Sequence, residues 1–158
     1  MVRLGTITPN NYRECLDLKV SDKQKAFVSA NELSLAKAYV FYDIVKPFAI
    51  YDDNIMIGFI MLRFNKEYNN YFIWQFMIDE TYQSKGNGKQ ALNLVIDWVK
   101  NNSSCNDIVT TYIAGNYKAK RLYEKLGFVE FGKSEDDEVD MVLHMDKLTT
   151  KECLNENY

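Results

Sequence analysis

Hydrophobic and polar positions change their period several times along this chain, and each change marks a boundary between elements. Short apolar or alternating stretches bounded by Asn, Asp and Gly are typical of β-strands. They predict strands over residues 2–7, 48–52, 55–64, 71–79, 108–114, 128–132 and 139–145. Apolar residues three and four apart predict helices instead. These cover residues 12–18, 21–43 (in two pieces), 88–100 and 117–126.

The order of these elements predicts the fold class. One strand and the first helices come before three strands that follow one another through turns such as Asp52-Asp53-Asn54. A strand–helix–strand–helix segment and a last hairpin then follow. Hairpins in the first half and a β–α–β unit in the second half predict an α/β protein with a mixed sheet flanked by helices.

Composition restricts the class of protein further. The chain has 158 residues, 47% of them apolar, which suits one domain over residues 1–148 followed by a polar tail, 149–158. A net charge of −3 without a basic block argues against nucleic acid as a partner. Three scattered cysteines and one histidine argue against a disulfide framework and a metal site. Without a leader or a long apolar run, we expect a cytoplasmic protein that does not enter a membrane.

A glycine-rich turn between a predicted strand and a predicted helix is the first candidate for chemistry. The first N–H groups of a helix have no intrahelical acceptor, and the helix dipole favours an anion beside them. Glycines let the backbone approach such an anion closely, and lysines add positive charge. The turn therefore predicts a phosphate or pyrophosphate site. Its residues are Gln83, Ser84, Lys85, Gly86, Asn87, Gly88 and Lys89.

A second motif about 30 residues downstream gives the turn a more specific interpretation. The first motif reads Gln83-x-x-Gly86-x-Gly88, and the second reads Asn116-x-x-Ala119-x-x-x-Tyr123-x-x-x-Gly127-Phe128. Together, and with the predicted order of strands, they resemble the GCN5-related N-acetyltransferase (GNAT) superfamily over nearly the whole chain. The resemblance implies a central, mostly antiparallel sheet in which one parallel pair of strands splays apart. It also implies acetyl-CoA as the cofactor.

The resemblance assigns expected roles to individual residues. The turn from Ser84 to Lys89 would hold the pyrophosphate and Gln83 would close its front, while Asn116 would bond the pantetheine or the start of its helix. Tyr123 would be the general acid that protonates the departing thiolate, unless it only packs under Phe128. The strand edge would pair with the pantetheine amides. That edge consists of Phe76, Met77 and Ile78.

A narrower similarity, carried by residues 27–36 and 74–79, is to bacterial spermine/spermidine acetyltransferases. Many relatives place a glutamate on the strand before the turn as the base for the acceptor amine, but residues 71–78 contain no carboxylate. Glu32 is the first candidate for the base or for an ammonium contact, and a solvated helix charge is the alternative. Trp74 and Gln75 are the other candidates for substrate contact. The weaker candidates for the base are Asp79, Glu138 and Asp140.

Three functions stay open at this point. The first is transfer of an acetyl group from acetyl-CoA to a small primary amine, such as spermidine or spermine, by direct attack in a ternary complex. The second is the same chemistry on a protein N-terminus or lysine. The third is a non-catalytic acyl-CoA-binding regulatory module. Residues 135–138 are expected to form a solvated hairpin tip, and the apolar face of Val139, Met141 and Leu143 serves either the core or a homodimer.

Overall fold

The computed structural model describes residues 1–133 and 136–145. Seven strands and four helices follow one another along the chain. They are β1 (Val2–Thr6), α1 (Tyr12–Asp17), α2 (Asn31–Val40), β2 (Val45–Asp52), β3 (Ile55–Asn65), β4 (Asn70–Ile78), α3 (Asn87–Asn102), β5 (Asp107–Ile113), α4 (Tyr117–Glu124), β6 (Val129–Lys133) and β7 (Glu138–His144), with a 3₁₀ turn at Glu80–Tyr82. The expected tail over 149–158, and Glu135 of the expected hairpin tip, lie outside the described residues.

The strands form one mixed sheet in the order β1-β2-β3-β4-β5-β7-β6. All neighbours are antiparallel except β4 and β5, which run parallel. Within the described sheet this parallel pair is short: it begins at Asn70 opposite Asp107 and ends at Phe72 opposite Val109. Beyond that point the two strands separate. The mixed sheet and the splayed parallel pair are therefore confirmed.

A β-bulge in β4 lies where the two strands separate. Met61 of β3 pairs with Gln75 and Leu62 pairs with Ile73, so that Trp74 is the extra residue. A bulge bends its strand and changes which face the following side chains point to. Ile73 and Phe76 consequently pack on the same side of the sheet although they are three residues apart.

The two faces of the sheet bury separate hydrophobic cores. Helices α3 and α4 cover one face, where Leu92 and Val95 are fully buried. Helices α1 and α2 cover the other face around Cys15 and Phe59. Val139 and Met141 of β7 belong to the first core and Leu143 packs against it, so core burial accounts for that apolar face.

The helix predicted over residues 21–43 is wrong in its first half. Residues 22–27 form successive turns, in which Gln24 N–H donates to Ser21 O at 2.9 Å and Phe27 N–H donates to Gln24 O at 2.9 Å. These are bonds between residues three apart, and the side chains around them are mostly exposed. Tertiary contacts of the Gln24 side chain, rather than helix propensity, fix this stretch.

The start of β2 also differs from the prediction, because the strand includes Pro47. Proline cannot donate a ladder hydrogen bond and is tolerated where one side of the strand has no partner. The pairing of β1 with β2 ends at Thr6 opposite Phe48, so Pro47 lies just past that pairing. Across the described residues, no helix has the length and apolarity needed to cross a membrane.

Candidate active site

A cavity of about 410 Å³ occupies the space between the separated parts of β4 and β5. One face of α4 closes one side of it through Ala119, Leu122 and Tyr123. Residues 25–29, which precede α2, close the other side and are called the wall segment below. The strands contribute residues 73–76 and 110–113. The splay of the parallel pair is therefore what creates the cavity.

Tyr123 of α4 lies inside this cavity with only 5% of its surface exposed. Burial raises the pKa of its hydroxyl, and a hydrogen bond with the Thr110 side chain lowers it in part. The ring also packs against Phe128, with the centroids 5.4 Å apart. The packing expected as the alternative for Tyr123 is therefore observed, and the residue also lines the cavity. Its role as the general acid stays a prediction. A buried, protonated phenol is a hydrogen-bond donor at neutral pH.

Asn116 caps the start of α4 from the cavity lining. Its Oδ1 accepts a hydrogen bond from Ala119 N–H at 3.3 Å, which is the usual contact of an N-cap asparagine. Of the two roles expected for Asn116, the contact with the helix start is observed. The cap fixes the direction in which α4 presents Tyr123 to the cavity.

The predicted anion cradle lies at the start of α3, which begins at Asn87 and is 16 residues long. Ser84 and Gly86 both have positive φ, 62° and 82°, so the chain turns sharply before the helix. Asn87 is buried and its Nδ2 donates to Tyr82 O at 2.9 Å, which closes the turn. Lys85 and Lys89 are exposed beside it.

Gly88 lets α3 approach β4 and α4. A Cβ at this position would lie 3.4 Å from Leu122, 3.6 Å from Phe76 and 3.8 Å from Ile78. The first turn of α3 therefore packs directly beside the end of β4 and the helix that carries Tyr123. This contact places the cradle next to the cavity.

The model of the acetyltransferase (GNAT) family matches residues 13–128. The chain belongs to this family. It is an acetyl-CoA-dependent N-acetyltransferase. The spermine/spermidine N(1)-acetyltransferase of Bacillus subtilis strain 168 is 32% identical over 135 residues, which cover 80% of this chain and 87% of that protein.

Solved structures with the same fold include two GNAT enzymes with different acceptors in their names. The spermidine N-acetyltransferase from Vibrio cholerae, in complex with CoA and spermine, has a TM-score of 0.72 and 20% identity, covering 91% of this chain and 94% of that one. The ribosomal-protein-S18-alanine N-acetyltransferase from Escherichia coli has a TM-score of 0.73 and 17% identity, covering 94% and 98%. At these identities the likeness concerns the fold.

The residues of this GNAT chain fit a coenzyme A molecule in two places. The cradle of Ser84 to Lys89 combines a left-handed turn with the amino terminus of a long helix, which suits an anionic pyrophosphate. The edge of β4 beyond Phe72 has no β5 pairing, which suits the amides of an extended arm. Phe76 lines the cavity, whereas the side chains of Met77 and Ile78 belong to the two cores.

Gln83 joins three elements in front of the cradle. Its Nε2 donates to Ile78 O at 2.8 Å, and its Oε1 accepts from Lys118 Nζ of α4 at 2.8 Å. It also exchanges two hydrogen bonds with the Gln24 side chain, at 3.0 and 3.1 Å. Sequence reasoning found Gln83 but missed Gln24, Lys118 and Thr110. Gln24 and Thr110 lie outside the two motifs, and Lys118 occupies an unspecified position within the second.

The carboxylates considered as bases lie in different places. Glu32 is exposed in the first turn of α2, near buried Cys15, and is not among the residues that line the cavity. Asp79 accepts hydrogen bonds from the backbone N–H groups of Lys19 and Thr81, at 2.9 and 3.0 Å. Glu138, at the start of β7, is the one carboxylate among the described lining residues. The roles suggested for Glu32 stay predictions without a contact to support them.

Trp74 and Gln75, the other predicted substrate contacts, both line the cavity. The Trp74 ring already carries Lys37 Nζ and Arg63 Cζ, each 4.8 Å from its centroid. These protein cations occupy the ring, which leaves a cation–π role toward a substrate without support. Gln75 is buried and its Nε2 donates to Ser29 O at 2.7 Å. It thus contacts the wall segment itself.

Proposed function

We propose that this chain transfers an acetyl group from acetyl-CoA to a primary amine of a small polyamine, such as spermidine or spermine. The observation that carries the proposal is the 32% identity to the Bacillus subtilis spermine/spermidine N(1)-acetyltransferase over most of both chains. The chemistry of the cavity agrees with such an acceptor. Its lining combines a carboxylate, Glu138, with apolar surface from Val28, Ile73 and Phe76.

An aliphatic polycation needs both kinds of surface. Its methylene groups gain from contact with apolar side chains, and each ammonium group is favoured by a carboxylate within a few ångströms. We assign Glu138 to the ammonium that enters the cavity. We also propose this carboxylate as the proton acceptor, because an amine of pKa about 10 must lose a proton before it can attack.

Bound acetyl-CoA supplies an acetyl group activated as a thioester. The residues that hold it, in this proposal, are the cradle from Ser84 to Lys89 through its backbone N–H groups, Gln83 in front of the cradle, and the β4 edge at Phe76, Met77 and Ile78. Asn116 contributes indirectly, since it fixes the start of α4. In this proposal the thioester end enters the cavity beside Tyr123, which is one of its lining residues.

Tyr123 donates the proton that the departing sulfur needs. A thiol near pKa 8.5 leaves as a thiolate, and a phenol with a raised pKa remains protonated until it meets that charge. The amine attacks directly while both substrates are bound, so no acetyl group rests on the protein. Mass spectrometry that trapped an acetylated residue turning over at the catalytic rate would contradict direct attack.

The reaction is assigned to the cytoplasm, where the free thiols of Cys15 and Cys105 persist. The acceptor is tested by measuring thiol release from acetyl-CoA with a panel of amines: spermidine, spermine, an amino sugar, a peptide with a free N-terminus and a lysine peptide. We expect kcat/KM for the two polyamines to exceed that for every other amine by about tenfold or more. A peptide preferred over both polyamines would replace the polyamine proposal by protein acetylation.

A further inference from the structure

The wall segment, residues 25–29, lies beside the cavity without being part of a helix or strand. Most of its side chains are exposed, and Val28 is the one among them that packs against the second core. Segments with few buried contacts open easily unless specific hydrogen bonds hold them. Two glutamine side chains of the β4–α3 region supply such bonds.

The first of these bonds comes from Gln75 of β4. Its Nε2 donates to Ser29 O at 2.7 Å and lies 3.4 Å from Asn31 Oδ1. The orientation of Asn31 is fixed because its own Nδ2 donates to Cys15 O at 2.8 Å. Position 75 therefore faces two acceptor oxygens in a buried setting, and only a donor satisfies both.

The second set of hydrogen bonds, which with the Gln75 bonds we call the pins, comes from Gln83, immediately before the cradle. Gln83 Nε2 donates to Gln24 Oε1 at 3.0 Å, and Gln24 Nε2 donates back to Gln83 Oε1 at 3.1 Å. Gln83 cannot turn freely, because Ile78 O and Lys118 Nζ hold the same amide. Gln24 directly precedes the wall segment, so the segment is tied at both ends, by Gln83 near its start and Gln75 at its end.

We propose that Gln75 and Gln83 are positioning residues that hold the wall segment closed over the amine site. This inference rests on the proposed function, because it takes the cavity as the place where the acceptor binds. It also explains why β4 lacks a carboxylate: an ionised side chain at position 75 would face Ser29 O and Asn31 Oδ1 and would repel the wall. Binding of the amine, rather than the transfer step, depends on these pins.

The first experiment compares Gln75→Glu with Gln75→Met. Both variants lose the donor, and the carboxylate adds repulsion. We expect the KM for spermidine to rise about tenfold in Gln75→Met and further in Gln75→Glu, with kcat within about threefold of the native value. An increase in kcat for Gln75→Glu at unchanged KM would mean that position 75 is a vacant base position, and would overturn the proposal.

The second experiment uses Gln24, which is partly exposed and far less critical for folding than a buried residue. Gln24→Ala should raise the KM for spermidine about threefold to tenfold with kcat unchanged, since it removes the reciprocal pair. Its exposed neighbour provides the matched control, Lys23→Ala, for which we expect native kinetic constants. Equal kinetic constants for Gln24→Ala and the native protein would contradict a pinning role for Gln83.

Hydrogen exchange of the backbone amides separates this inference from the proposed function. Residues 21–30 should exchange at least about fivefold faster in Gln75→Met and Gln24→Ala than in the native protein, with no polyamine present. Unchanged exchange in both variants overturns the inference even if the native protein acetylates polyamines. If the two variants exchange faster but the native protein acetylates no amine, the role of Gln75 and Gln83 is supported and only the proposed function is refuted.

Discussion

Two features of the Tyr123 environment shift the pKa of its hydroxyl in opposite directions. Packing against Phe128 and burial in the cavity take its hydroxyl away from water, which raises its pKa. The hydrogen bond with Thr110 keeps that hydroxyl satisfied and directed. The result is a phenol that stays protonated across the physiological range, as the proposed acid role requires.

Replacing this hydroxyl should affect turnover much more than binding. We expect Tyr123→Phe to lower kcat about 100-fold, because general acid catalysis contributes about that much or more, and to leave the Kd of acetyl-CoA within about twofold. The control is Tyr112→Phe, since the Tyr112 hydroxyl donates to Glu130 at 2.6 Å instead. Steady-state kinetics with calorimetric coenzyme binding measures both quantities. A kcat unchanged in Tyr123→Phe would remove the residue from the acid role.

Because of Cys15, the stability of the fold should fall as pH rises into the alkaline range. Burial, with a smaller effect from the charge of Glu32, raises the pKa of its thiol to about 12, while an unfolded thiol titrates near 8.5. The unfolded state therefore releases its proton first as pH rises. The stability that the buried, protonated thiol gives the folded state is therefore fully present below about pH 8.5 and is lost progressively toward pH 12.

Urea unfolding at several pH values tests whether the free energy of unfolding falls as pH rises. Between pH 8.5 and 10 the free energy of unfolding should fall by about 1.5 kcal/mol more in the native protein than in Cys15→Ala, because only the native chain carries this titration. Both chains share the titration of the tyrosines, so the difference isolates Cys15. Parallel pH slopes for the two chains would contradict the buried thiol.

Among the elements, β4 does the most to build the site. Its bulge at Trp74, its short pairing with β5 and its close contact with β3 together open the cavity on one side only. Gly58 of β3 permits that contact: a Cβ there would lie 2.6 Å from Met77 O and 2.8 Å from Ile78 Cδ1. The end of β4 that borders the cradle is thus held by backbone proximity.

An added methyl group at Gly58 should therefore be costly. We expect Gly58→Ala to lower the free energy of unfolding by about 2 kcal/mol, as overpacking of a tight contact does. Gly132→Ala in β6 is the control, since its nearest foreign atom would be Asp140 Oδ2 at 3.6 Å, and it should change stability by less than about 0.5 kcal/mol. A loss in Gly58→Ala as small as that of the control would show that the β3–β4 contact tolerates a side chain.

The sequence predicted the regular elements better than the irregular ones. Apolar spacing identified α3, because its buried side chains face one core with a clear period. Short apolar or alternating runs identified the strands. It failed for residues 21–30, whose apolar Ala26, Phe27 and Val28 resemble part of a helix but line a cavity. It also gave no sign of the bulge at Trp74, since a bulge depends on pairing with β3 and not on local preference.

At the scale of the molecule, the motifs predicted the coenzyme side of the site and left the amine side open. The cradle and Tyr123 lie in two continuous stretches, so a short pattern contains them. The proposed amine side is assembled from distant parts of the chain that line the cavity: the wall segment, Gln75 in β4 and Glu138 in β7. Only the sheet topology brings these together. Glu138 entered the sequence prediction as one of several carboxylates, and no pattern distinguished it from Glu32.

Preference of this cavity for a polyamine over a peptide is the main expectation. It is tested most directly by competition: equal concentrations of spermidine and of a peptide with an N-terminal alanine are incubated together with the protein and acetyl-CoA. Mass spectrometry then compares the initial rates of the two acetylated products. We expect acetylated spermidine to exceed the acetylated peptide by about tenfold or more, a difference of about 1.4 kcal/mol in transition-state binding. Acetylated peptide as the main product would contradict it.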